Sequence, residues 1–142
     1  MTQLDRTQQI YRTYLIQAEE LESKKRPFEG IFGLNRSPED PCHDQFIRNL
    51  QGLMEEFRAE GIDSGALREV LAYIYSVTQE HQMPVNLYWM LIAAQSVTPD
   101  MIPLLAREDA AAVLEQFQRT YKRRVQLPVQ KKIVKALEKA AR

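Results

Sequence analysis

The chain has 142 residues, 44% hydrophobic and 27% charged, with five glycines and seven prolines, a balance that excludes collagen-like, disordered and membrane-embedded proteins. At this length folding hides roughly 68% of the unfolded chain's surface, enough for a core without disulfides or metal. Nineteen Lys and Arg cancel nineteen Asp and Glu, a total that by itself argues against a polyanion-binding protein.

One cysteine, Cys42, rules out an intrachain disulfide, and two histidines are too few for a closed four-ligand zinc site without carboxylates. No metal and no cofactor are expected. The segment Met1 to Gln9 carries Asp5 and Arg6 in place of the positive head and apolar middle of a signal peptide. The longest apolar run, Leu87 to Ala94, falls far short of the ~20 residues of a membrane span. The expected location is the cytoplasm.

Apolar spacing is helical throughout, so the expected fold is all-α: one compact domain, 1–142, of six to seven helices. The first helix is predicted over about Leu4 to Lys25 within an N-terminal segment 1–26, with Ile10, Tyr11, Tyr14, Leu15, Ala18 and Leu21 on its apolar stripe. Pro27 ends it, because the residue before a proline is pushed out of the helical region. The segment 27–40 reads as a long loop whose Phe28, Ile31, Phe32 and Leu34 should pack it onto the helices as an ordered element.

Asp40 and Pro41 have the cap-then-proline form of a helix start, opening a helical core over 41–126. The second helix runs from Pro41 to about Glu60, with Phe46, Ile47, Leu50, Leu53, Met54 and Phe57 inward and Gly61 as its stop. Asp63 or Ser64 caps a third helix to about His81, its core face Leu67, Val70, Leu71, Ile74 and Val77. Pro84 opens a fourth, and Leu87 to Ala94 leaves it almost no polar side, which predicts a central position. Thr98-Pro99-Asp100 predicts a short fifth helix interrupted at Pro103. From about Arg107, the positions Ala110, Val113, Leu114, Phe117 and Tyr121 mark the next helix. Pro128 opens the last, in a basic C-terminal segment 127–142, with Ile133, Val134, Leu137 and Ala140 inward.

Divided by segment, the zero charge changes meaning. Residues 119–142 hold nine Lys and Arg against Glu138 alone, or +8, leaving ten cations against eighteen acids, or −8, in residues 1–118. Lys131, Lys135, Lys139 and Arg142 recur at spacings of four, four and three with Lys132 beside them, so they share one helical face. With Arg123 they form the candidate basic binding face. Its bland reading is a solvated surface or one received by acids of the same chain, such as Glu19, Glu20 and Glu22 or Glu55, Glu56 and Glu60. Its functional reading is a docking surface for a protein partner or a second copy, with nucleic acid as the alternative. Few aromatics are interleaved with the cations, which disfavours base stacking.

The densest set of reactive side chains is Asp40, Cys42, His43 and Asp44. At the start of a helix the dipole favours a thiolate, so a thiol- or metal-dependent enzyme centred on Cys42 and His43, with Asp40, Asp44 and distant His81, is a third reading. Adjacent residues diverge on a helix, however, and His43 begins the apolar stripe at 47, 50, 54 and 57, which favours a structural role. Gly30-Ile31-Phe32-Gly33 lacks the basic flanks of a nucleic-acid-binding GxxG loop, and no phosphate loop, HExxH or Glu-x-x-His pair is present. No catalytic residue is assigned. The function expected is a non-enzymatic interaction or adaptor module, able to self-associate through its opposed charges.

Overall fold

The structure, a computed structural model, describes residues 2–24, 41–61, 63–77, 85–121 and 127–142, with the backbone alone at 19, 21–24, 41 and 85–89. Six α-helices are described: α1 (Gln3–Lys24), α2 (Pro41–Glu60), α3 (Ser64–Ser76), α4 (Val85–Ala94), α5 (Arg107–Tyr121) and α6 (Pro128–Ala140). Two 3-10 segments, Gln95–Val97 and Pro99–Leu104, join α4 to α5, and no strand occurs among the described residues. The chain is an all-α bundle. The expected ordered loop 27–40, with Asp40, lies outside the described residues.

Local chemistry sets the boundaries. Thr2 and Asp5 form a reciprocal capping box, Thr2 N–H donating to Asp5 Oδ2 at 3.0 Å and Asp5 N–H to Thr2 Oγ1 at 3.1 Å. This satisfies two of the orphan donors at the start of α1, and the Thr2 hydrogen bonds hold the Asp5 carboxyl below its ordinary pKa. Helix α2 stops where Gly61 turns to φ +74°, a left-handed conformation that glycine adopts without steric cost. Asp63 caps α3 by accepting from Gly65 N–H at 3.2 Å.

The predicted stripes become the core. Tyr11, Tyr14, Phe46, Leu50, Leu53, Met54 and Phe57 bring α1 against α2, and Leu67, Val70, Leu71 and Ile74 of α3 are fully buried. Tyr14 stacks on Phe46 at 4.4 Å, while Tyr11 meets the edges of Phe46 and Tyr73 at 4.9 and 5.3 Å. Such aromatic pairs add to area burial a geometric preference of about 0.5–1.5 kcal/mol each. Helix α3 lies between α1 and α5, and α6 covers α5 and the Pro99–Leu104 turn. A polar staple joins the starts of α3 and α5: Ser64 Oγ donates to Asp109, accepts from Ala106 N–H at 2.7 Å, and Arg68 holds the other Asp109 oxygen at 3.0 Å.

Helix α4, apolar from Leu87 to Ala94, buries Leu91, Ile92 and Ala94 but leaves Met90 38% exposed and Ala93 exposed, so its described part has one open side. Isolated apolar side chains on a surface are common. The short fifth helix forms as the 3-10 segment Pro99–Leu104, with Pro103 inside it rather than interrupting it. A 3-10 turn leaves proline's missing donor less costly than an α-helix interior does.

Candidate functional site

Helix α6 carries its predicted faces on opposite sides. Ile133 and Leu137 are fully buried, and Gln130 is buried beside them. Lys131, Lys132, Lys135 and Lys139 of α6 and Arg142 just beyond its end are all exposed, and at 3.6 residues per turn the four lysines fall in an arc of roughly 100° opposite that stripe. From Lys131 to Arg142 the row extends about 16 Å along the axis. Glu138, exposed at one margin, is the acid on this helix. Arg123 lies outside the described residues.

Among the described residues no carboxylate forms an ion pair with these five cations. Of the acids that could receive them within the chain, Glu20, Glu55, Glu56 and Glu60 have described side chains. Glu56 pairs with Arg6, which lowers the pKa of the Glu56 carboxyl and raises that of the Arg6 guanidinium, to which Glu60 also contributes. Glu55 and Glu60 are exposed on α2, and the side chains of Glu19 and Glu22 lie outside the described residues. A cleft of about 150 Å³ opens where the start of α1, the end of α2 and the start of α3 meet, lined by Gln3, Glu56, Phe57, Glu60, Asp63 and Ala66.

The second candidate cluster sits in the first turn of α2. Cys42 is half-buried and packs against the core, His43 is half-buried, and Asp44 is exposed. The His43 ring meets Tyr14 edge-on at 5.9 Å and lies 6.3 Å from Phe46, contacts that suit a side chain closing one end of the core. Asp40 and His81 are outside the described residues. Among the described residues no three His, Cys, Asp or Glu side chains converge as metal ligands.

A buried polar ring between α3, the 3-10 turn and α5 went unnoticed in the sequence. Gln95 Nε2–H donates to Tyr121 Oη at 2.7 Å, and that hydroxyl donates to the Tyr75 carbonyl at 2.9 Å. Thr98 Oγ1 donates to the Gln95 carbonyl at 2.7 Å and lies 2.6 Å from Tyr75 Oη. Since threonine has one hydroxyl proton, Tyr75 must be the donor to Thr98. The ring therefore runs in one direction, and Tyr121 satisfies one of the end carbonyls of α3. Thr98 stands at the cap position before Pro99. It makes no capping bond, because its hydroxyl is taken up in this ring.

One buried hydroxyl nearby stands differently. Tyr11 is fully buried and its Oη has no hydrogen-bond partner among the described residues. Leaving such a group unpaired costs about 1–3 kcal/mol, so Tyr11→Phe is expected to raise stability by about 1 kcal/mol in denaturant unfolding. A loss of that size would instead reveal a partner for the hydroxyl.

No protein-family model, curated protein or solved structure matches the chain, so its function is read from its own residues. No helix among the described residues is long and apolar enough to cross a membrane.

Proposed function

We propose that the protein is a non-enzymatic helical interaction module that docks an acidic protein surface on the cation face of α6. The observation that carries this reading is the row of exposed cations opposite the buried stripe, without a described carboxylate to neutralise it. Five charges with no ion pair among the described residues, spread over about 16 Å, create a positive potential that an acidic patch of similar length can meet. The rest of the chain carries the balancing −8. That charge repels a polyanion extending beyond α6, whereas a compact acidic patch meets α6 alone. This favours a protein partner over nucleic acid, and the cytoplasm is the compartment the reading assumes.

Comparing the native chain with the triple variant Lys131→Gln, Lys135→Gln, Lys139→Gln as bait in a cell lysate tests the proposal, with and without nuclease. Proteins retained by the native chain at low salt, lost on the variant and unaffected by nuclease are the expected result. Equal retention by both baits would overturn it, and nuclease-sensitive retention would transfer the site to nucleic acid. The variant should keep its stability within about 0.5 kcal/mol, because these side chains are exposed and form no ion pair among the described residues.

A further inference from the structure

We propose that the protein assembles head to tail with copies of itself, the α6 cation row of one copy docking on the acidic cleft of the next. The inference rests on the docking role given to α6 and names its partner as a second copy of this chain. Charge complementarity is the first argument: the α6 face presents exposed cations, and the cleft is lined by the carboxylates of Glu56, Glu60 and Asp63. The two surfaces also lie on different elements. Helix α6 rests on α5 and the Pro99–Leu104 turn, whereas the cleft is built by α1, α2 and α3.

The cleft's chemistry suits a lysine. Phe57 and Ala66 offer apolar surface, and Glu56, Glu60 and Asp63 place carboxylates around the opening. A lysine can lay its methylene stem on the first pair and bring its ammonium to the acids. Arg6 of α1 pairs with Glu56 of the cleft, while Arg58 of α2 lies 3.8 Å from Asp100. Asp63 Oδ1 accepts from Gly65 N–H, and a carboxylate retains capacity for further bonds. Because the two faces differ, the contact is heterologous and propagates into chains or closes into a ring.

The test is sedimentation equilibrium on the full chain and two charge variants. One carries Lys131→Gln, Lys135→Gln and Lys139→Gln; the other carries Glu60→Gln and Asp63→Asn, asparagine retaining the cap of α3. At about 20 mM salt the native chain should reach at least about twice the monomer mass, and at about 0.5 M salt it should return to monomer as screening shortens the reach of its charges. Each variant alone should stay monomeric. Mixed in equal amounts they should form a dimer and nothing larger, since each supplies the one face the other lacks. Far-ultraviolet circular dichroism verifies that both remain helical. A native chain monomeric at low salt, or a mixture that fails to pair, overturns the proposal. An oligoglutamate peptide separates this from the reading beneath it. Should the native chain stay monomeric yet bind the peptide through α6, self-assembly alone falls; should it do neither, both fall.

Discussion

Thr98→Val is expected to destabilise the protein by about 2–3 kcal/mol, although valine nearly matches threonine in shape. The change removes the acceptor of the Tyr75 hydroxyl, a group with no exposure to water. The Gln95 carbonyl keeps a bond from the Thr98 backbone N–H at 3.1 Å, so the cost falls on Tyr75 Oη. Tyr75→Phe alone should cost about 1 kcal/mol, because Thr98 still donates to the Gln95 carbonyl. Adding Tyr75→Phe to Thr98→Val should then restore about 1 kcal/mol by deleting the stranded hydroxyl, a non-additivity that urea unfolding of the four proteins measures directly. Strictly additive losses would contradict the one-way ring.

Alkaline pH should act as strongly. Tyr11 and Tyr75 are both fully buried, and burial pushes both phenols above their ordinary pKa of 10.0, with the Thr98 hydrogen bond offsetting part of the rise at Tyr75. Above about pH 10 the unfolded chain releases these protons while the folded chain keeps them. The unfolded state then binds fewer protons, so stability falls as pH rises from the unfolded pKa toward the folded one. Each tyrosine contributes a slope of about 1.4 kcal/mol per pH unit, about 2.7 for the pair. Below that window the contribution is fully present. Unfolding midpoints measured between about pH 9 and pH 11 should show the slope, with Tyr75→Phe removing about half of it. An unchanged slope in that variant would mean that the Tyr75 phenol is not held neutral.

The parts of the fold legible in the sequence are those set by local rules. Helix α2 occupies Pro41–Glu60 as predicted, because Pro41 suits a first helical turn and Gly61 takes the left-handed stop. The Asp63 cap and the stripes of α3, α5 and α6 follow from hydrogen bonding within three residues and from a period of 3.6. The start of α1 one residue earlier reflects a Thr2 and Asp5 box that apolar spacing does not register. Pairings between distant residues were illegible. Ser64 with Asp109 and Tyr75 with Thr98 are separated by 45 and 23 residues, and no local preference announces them. Apolar periodicity counts Tyr121 as a core side chain, which it is, yet says nothing of the two hydrogen bonds its hydroxyl makes.

The α6 face was legible because one period orders both of its sides: whatever turns Ile133 and Leu137 inward turns Lys131, Lys135 and Lys139 outward. The disposition of the acids was not, since the Arg6 pairing of Glu56 joins two helices. For Cys42 and His43 the sequence supplied the elements of a site and also the reason for caution. His43 lies against Tyr14 and Phe46, where its position at the head of the apolar stripe directs it.

Ion-exchange retention tests most directly whether the cancelled charge is segregated into an accessible cation face. At pH 7 the chain has a formal net charge of zero, so a protein with evenly mixed charges would pass a sulfonate column unretained. Loaded at a dilution that keeps the chain monomeric, the α6 face predicts retention at about 20 mM salt, where the Debye length still exceeds the spacing of the row, and loss of retention in the triple Lys131→Gln, Lys135→Gln, Lys139→Gln variant. Native protein in the flow-through, or a variant that elutes with it, would contradict the account.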